Sequence, residues 1–306
     1  MFISLILFII LIALLLIFII QSFLFYDISL NPYSSKNTLR TDEDLLEYEK
    51  DLSWLDKKDI QDIYITSIDG LRLHAFTIKQ PGNLWAILCH GYTSSAEKMA
   101  YQAEQFYNMG YSILIPDARG HGKSEGRYIG MGWHERVDMT KWIEKIIQYQ
   151  SNAEIVLYGI SMGGATVLMT SGEALPNNVK AIIEDCGYSS IKDEFSYVLN
   201  HYIKIPAFPL LQITAIHTKI RTGFNFLTEG NAVNQVKKAK TPILFIHGKL
   251  DTFVPYSMFQ KLYGAASTQK QSLIIPEAGH AESCIKEPEL YWDTIFEFLK
   301  KYIRNP

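Results

Sequence analysis

The first twenty positions, MFISLILFIILIALLLIFII, are apolar apart from Ser4 and carry no charge. After Gln21 and Ser22 the apolar character returns in Phe23, Leu24, Phe25 and Tyr26. At 1.5 Å per helical residue, about 20 such residues cross a hydrocarbon core of roughly 30 Å. Residues 1–26 are therefore expected to form one transmembrane helix contacting the lipid bilayer, with Phe25 and Tyr26 in the interfacial belt. A secretory signal would need a shorter apolar region, a basic start and an A-x-A-like site, and none is present. Lys36 and Arg40 lie just after the span and no basic residue precedes it, which by charge alone weakly favours a cytoplasmic position for the remainder of the chain. Residues 27–59 read as a linker with breakers at Asn31-Pro32 and Ser34-Ser35, then an acidic stalk helix opened by Thr41-Asp42-Glu43-Asp44.

From residue 60 the period shortens. DIYITSI, the turn Asp69-Gly70 and LRLHAFTI alternate as an antiparallel hairpin. LWAILC (84–89) is a continuous apolar run and reads as a buried strand. A helix follows, with a Ser94-x-x-Glu97 capping box and a stop at Gly110. Strand YSILIP (111–116) leads to loop DARGHGKSEG (117–126) and a helix to about Tyr149, in which Met139, Ile143, Ile146 and Ile147 share one face. Further strands are EIVLYG (154–159), VKAIIE (179–184), PILFIH (242–247) and QSLIIP (271–276). A last helix from Pro288 carries Trp292, Ile295, Phe296, Leu299 and Ile303 on one side. Alternating strands and helices predict an α/β domain over 60–306, a mostly parallel eight-stranded sheet with helices on both faces. Residues 188–238 break the alternation with many aromatics, and a crossover needs only a dozen or more residues. This stretch is expected to be a small helical cap over the carboxyl ends of the strands, where α/β sheets bind ligands.

Composition narrows the function. The 306 residues are 48% hydrophobic with a net charge of −3, so the chain lacks the basic footprint of a nucleic-acid binder. Cys89, Cys186 and Cys284 are odd in number and form no C-x-x-C pair, which argues against a disulfide framework and a zinc site.

The chemistry centres on EIVLYGISMGGAT (154–166), where a strand meets Gly159-Ile160-Ser161-Met162-Gly163 and a helix follows. G-x-S-x-G at a strand-to-helix turn is a nucleophile elbow. Ser161 is the expected nucleophile, and Gly159 and Gly163 leave room for the sharp turn. A serine hydroxyl needs a base, and the base an orienting acid, expected on later strand ends in the order Ser, Asp or Glu, His. After PILFIH the loop GKLDTFVP offers Asp251, and after QSLIIP the loop EAGH offers His280. Asp185 also ends a strand and is the rival acid; the G-x-x-D loop favours Asp251. The oxyanion would be held by backbone N–H groups of Met162 and Tyr92, the latter in the loop after LWAILC, with His90 organising that loop.

HGY (90–92), DARGHGKS (117–124), GISMGG (159–164), HGKLDTFVP (247–255) and GH (279–280) together resemble the α/β-hydrolase superfamily over about residues 60–304. The D-x-R-G-H-G-x-S loop is similar to that of the serine aminopeptidase and monoglyceride-lipase group, and the apolar N-terminus to membrane-anchored bacterial cell-surface hydrolases. The resemblance implies the α/β-hydrolase fold, acyl transfer from a small-molecule substrate to water through an acyl-serine, no metal or organic cofactor, and an extracellular catalytic domain. HGY differs from the HGGG form of many lipases and esterases. Ester substrates are expected; an amidase or aminopeptidase of the same fold, and a silent membrane-bound binding module, are the alternatives. Gly122-Lys123-Ser124 is not a P-loop, because Asp117 stands where its first glycine belongs, and Asp117 and Arg119 are expected to brace the loop. His134-Glu135 is not a zincin pair, since position 138 is aspartate, and Lys237, Lys238 and Lys240 read as a solvated surface.

Overall fold

A computed structural model of the chain describes residues 2–34 and 52–303. Its strands are β1 (Gln61–Thr66), β2 (Arg72–Ile78), β3 (Leu84–Cys89), β4 (Ser112–Pro116), β5 (Glu154–Ile160), β6 (Val179–Asp185), β7 (Ile243–Gly248) and β8 (Lys270–Ile275). They form one sheet in the order β1-β2-β4-β3-β5-β6-β7-β8. β2 pairs antiparallel with β1 and β4, and every later neighbouring pair is parallel. This is the α/β-hydrolase fold. Strand order reverses at β3, which lies between β4 and β5, so a crevice opens where the β3 and β5 loops diverge.

The helices are α1 (Phe2–Leu30), α2 (Ala100–Asn108), α3 (Glu135–Tyr149), α4 (Met162–Thr170), α5 (Ile191–Tyr197), α6 (Ala207–Thr222), α7 (Ala232–Val236), α8 (Tyr256–Ala265), α9 (Ser283–Lys286) and α10 (Pro288–Leu299). Successive residues of the central strands enter different cores. Trp85, Ile87, Ile155 and Leu157 face one, with Met139, Trp142, Ile143 and Ile146 of α3. Ala86, Leu88, Val156 and Tyr158 face the other, with Phe106 of α2 and Ile295, Phe298 and Leu299 of α10. Burial on both faces explains why these strands read as continuous apolar runs. On α10 it is Phe298 that is buried, while Phe296 is partly exposed.

The Ser94-x-x-Glu97 capping box does not form. Ser95 precedes a 3₁₀ turn, Ala96–Met99, and makes no side-chain cap bond. The Ala96 amide instead donates to Asp117 Oδ1 at 2.8 Å, so an acceptor from the loop after β4 replaces the local one. The acidic stalk falls mostly outside the described residues; from Leu52 onward the chain shows only a 3₁₀ turn, Leu55–Lys57, before β1. Between β6 and β7 the chain is helical, with α5, a π-helical turn over Val198–Ile203, α6 and α7.

α1 is long and apolar enough to cross a membrane. It runs on past Tyr26 to Leu30 and changes character on the way. Its first half is exposed, whereas Ser22, Phe25, Tyr26, Ser29 and Leu30 are buried at i, i+3, i+4, i+7 and i+8. That stripe docks on α6, where His217 lies 4.0 Å from Phe23 and 4.9 Å from Tyr26 between ring centroids. Burying Phe25 and Leu30 stabilises the seat by about 1.5–3 kcal/mol each. The helix end is also fixed by polar contacts. Ile129 N donates to Leu30 O at 2.8 Å, and Asp27 accepts from Asn31 and Ser34 at 2.6 and 2.9 Å.

Candidate active site

β5 delivers its chain into a sharp turn at Ser161. Ser161 has φ 56° and ψ −116°, a conformation costing a non-glycine residue on the order of 1–3 kcal/mol. Two glycines make room for it. A Cβ on Gly159 would strike the Gly163 carbonyl, and one on Gly163 would strike the Cys89 carbonyl of the adjacent β3. The turn is anchored by Ser161 N donating to Asp185 O at 2.8 Å and by Ala165 N donating to Ser161 O at 2.9 Å. The Ser161 hydroxyl therefore stands at the start of α4, above the crevice.

Two later strand ends supply its neighbours. His280, in the loop after β8, has Nε2 at 2.9 Å from Ser161 Oγ. Its Nδ1 lies 2.8 Å from Asp251 Oδ2, in the loop after β7. Asp251 Oδ1 accepts from Phe253 N at 2.9 Å and Val254 N at 2.8 Å, so the buried carboxylate is held from its other side. A carboxylate can only accept, so the neutral imidazole carries its proton on Nδ1 and leaves Nε2 to accept from the serine. Asp185 sits one strand away and serves another partner. Its Oδ2 accepts from Tyr291 OH at 2.9 Å, and burial pushes its carboxyl up to about 7.

Tyr92 and Met162, whose amides are the expected oxyanion donors, line the same cavity as Ser161. β3 and β5 are paired with Cys89 opposite Gly159, which sets the loop bearing Tyr92 beside the elbow. Met162 N belongs to the first residue of α4, where a helix supplies no internal acceptor. His90 fixes the loop, with Nδ1 2.7 Å from Gly91 O and Nε2 accepting from Ala118 N at 3.0 Å. Burial lowers the His90 pKa, which keeps the ring neutral for both bonds. The loop after β4 is braced as expected of Asp117 and Arg119. Asp117 also accepts from Lys123 N at 3.0 Å, and Arg119 grips Asp138 through Nε and Nη2 at 2.8 and 2.7 Å. Lys123 reaches Asp62 at 2.7 Å and Ser124 Oγ donates to Asp117 O, so the Gly-Lys-Ser stretch is engaged locally. Cys186 lies within 4.8 Å of the Asp251 and His280 ligand atoms. Two members of that set are already engaged with each other, His280 Nδ1 with Asp251 Oδ2.

A cavity of about 290 Å³ opens beside Ser161. Its walls include Tyr188, Phe195, Val198 and Phe253, and also Phe25, Ile28 and Ser29 of α1. The sequence pattern did not mark the α1 residues as part of a site. The signal was present in the helically spaced pair Ser22 and Ser29, the polar interruptions near the end of an apolar helix. Also missed was Glu194 of α5, buried against the cavity with neither carboxyl oxygen bonded among the described residues. Burial, with the nearby charges of Asp251 and Asp193, raises its pKa well above the usual carboxylate value. An acid whose folded pKa is raised contributes its stability below the unfolded value of about 4.3, and loses it as pH rises toward the folded one. Glu194→Gln is therefore expected to melt above the wild type at pH 8 and alongside it at pH 4. Equal melting differences at the two pH values would show that the carboxyl is not held neutral.

Known proteins agree with this frame. A family model described as serine aminopeptidase, S33, matches residues 85–222, which include the elbow. YqkD of Bacillus subtilis is 29% identical over 214 residues, covering 70% of each chain. WAV2 of Arabidopsis thaliana, described as an α/β hydrolase domain-containing protein, is 26% identical over 260 residues and 79% of each chain. The structure of the Pyrococcus furiosus esterase Pf2001 superposes with a TM-score of 0.66 at 25% identity, covering 83% of this chain and 95% of that one. The chain has the α/β-hydrolase fold and is similar in sequence to proteins of that superfamily. Within it, the similarity is to hydrolases of esterase and peptidase type.

Proposed function

We propose that the chain is a membrane-anchored serine hydrolase that cleaves carboxylic ester or related acyl bonds. The observation that carries this reading is the unbroken line Ser161 Oγ, His280 Nε2, His280 Nδ1, Asp251 Oδ2, with steps of 2.9 and 2.8 Å, on the loops of three parallel strands. His280 takes the serine proton as Ser161 attacks the carbonyl, and Asp251 holds the imidazole in the right tautomer and stabilises its positive charge. The Met162 and Tyr92 amides receive the oxyanion. His280 then protonates the leaving group, and water releases the acyl chain by the same steps in reverse order of roles. A silent binding module has no need of a strained serine aligned with a base and an acid. The anchor is taken as uncleaved, because the end of α1 is built into the folded domain.

The family description favours a second reading, hydrolysis of amides at a peptide terminus. The cavity favours esters of apolar acids, since its lining is largely aromatic and aliphatic. A small fluorophosphonate is expected to label the wild type and not Ser161→Ala, and 4-nitrophenyl esters to turn over faster than aminoacyl 4-nitroanilides. Labelling that persists in the alanine variant would move the nucleophile elsewhere, and faster anilide cleavage would favour the peptidase.

A further inference from the structure

We propose that the last two turns of α1 form a wall of the acyl site, and that the substrate is a bilayer-resident acyl ester entering beside that helix. This deepens the serine-hydrolase reading above and rests on it.

A plain tether needs a span and a linker. α1 offers more. The stripe Ser22, Phe25, Tyr26, Ser29 and Leu30 is shaped to the domain, and Phe25, Ile28 and Ser29 border the cavity beside Ser161. Tyr92 OH donates to Ile28 O at 3.1 Å and Ser29 O at 3.0 Å. The helix end and the loop offering the Tyr92 amide are thereby one mechanical unit, so a shift of α1 is felt at the place where negative charge would develop. From Ile20, the last residue of the unbroken apolar run, to Ile28 is eight residues, about 12 Å along the axis. The cavity thus lies just beyond the membrane boundary that the exposed run of α1 defines.

The cap continues that boundary. α6 buries one side against α1 and the core, and leaves Ile216 62% and Ile220 80% exposed one helical turn apart. Phe208 at its start is 73% exposed, and Ile203 of the preceding turn both lines the cavity and reaches the surface. Lys219 and Arg221 are exposed at the end of the same helix, where long basic side chains suit lipid headgroups. An apolar face contiguous with a membrane-spanning helix has the bilayer as its natural occupant. An acyl chain leaving that bilayer would pass between α1 and the cap without crossing water.

The test uses the full-length chain in phosphatidylcholine vesicles and 4-nitrophenyl esters from acetate to palmitate. Ile28→Trp, which adds bulk inside the cavity, is expected to lower the palmitate-to-acetate ratio of kcat/KM about tenfold or more. Ile28→Ala should raise that ratio, and it carries the test if the larger side chain disturbs folding. Leu14→Trp, in the exposed run, should leave the ratio at the wild-type value. An acyl-ester lipid should be cleaved when it shares a vesicle with the enzyme and spared when it resides in separate vesicles. A ratio unmoved by both Ile28 variants, or equal cleavage across separate vesicles, overturns the proposal and leaves α1 a tether. Labelling by a small fluorophosphonate reads the nucleophile independently. An unlabelled wild type would mean that the serine-hydrolase reading had failed, and a labelled one with no chain-length effect that only the wall had.

Discussion

Ser161→Ala is expected to lower kcat on a short ester by about 10⁶-fold, His280→Ala by a similar factor, and the double variant by no more than either alone. The reason lies in the geometry of the pair. Among the described residues the Ser161 hydroxyl has one base within reach, His280 Nε2 at 2.9 Å. Removing the base leaves an unactivated alcohol, and removing the alcohol leaves a base without a nucleophile, so the second substitution has nothing left to abolish. What survives in each variant is binding together with the proposed oxyanion amides, which belong to the backbone and are untouched. Neither substitution should unfold the protein. Ser161 holds its strained turn through main-chain bonds to Asp185 and Ala165, and alanine preserves both. Initial rates of the three variants against the wild type decide the matter. Additive losses, with the double variant multiplying the two factors, would show that serine and histidine act separately.

The sheet was legible because its central strands are buried on both faces and its first hairpin turns at a glycine, and both leave marks in a sequence. LWAILC and EIVLYG have no polar alternation because their neighbouring residues enter two different cores. The elbow was legible for a sharper reason. Gly159 and Gly163 stand where a Cβ would meet backbone, so the spacing around Ser161 is a steric requirement that shows directly in residue types. Asp251 and His280 were legible through order along the chain and their positions just past strand ends. The capping box misleads because Asp117, distant in sequence, supplies the acceptor that local spacing assigns to Ser94. Tertiary contacts of that sort leave no local pattern. The wall formed by α1 was hidden by the strength of its own signal, since an apolar run fit for lipid masks which few of its residues face protein instead. Glu194 was hidden because a buried carboxyl and a surface one are the same letter.

Asp251→Asn is expected to lower kcat by about 10⁴-fold, and Asp185→Asn to leave turnover largely intact. The two acids sit at the ends of adjacent strands, and sequence position alone separates them poorly. Their contacts separate them well. Asparagine at 251 can still accept from Phe253 N and Val254 N through its oxygen, so the loop should keep its shape. Its amide group would then face His280 Nδ1 as a donor, turning the ring to the tautomer with a proton on Nε2. That tautomer cannot accept from Ser161, and no carboxylate remains bonded to the ring to stabilise the imidazolium. Asparagine at 185 keeps the acceptor that Tyr291 OH requires, and its main-chain oxygen continues to hold Ser161 N. What it removes is a carboxyl already pushed up to about 7 by burial, neutral at acid pH and costly to ionise above it. The comparison is made at pH 8, with melting curves confirming that both variants are folded. A large loss at Asp185→Asn with Asp251→Asn near wild type would transfer the orienting role to the end of β6, and with it the direction from which His280 is held.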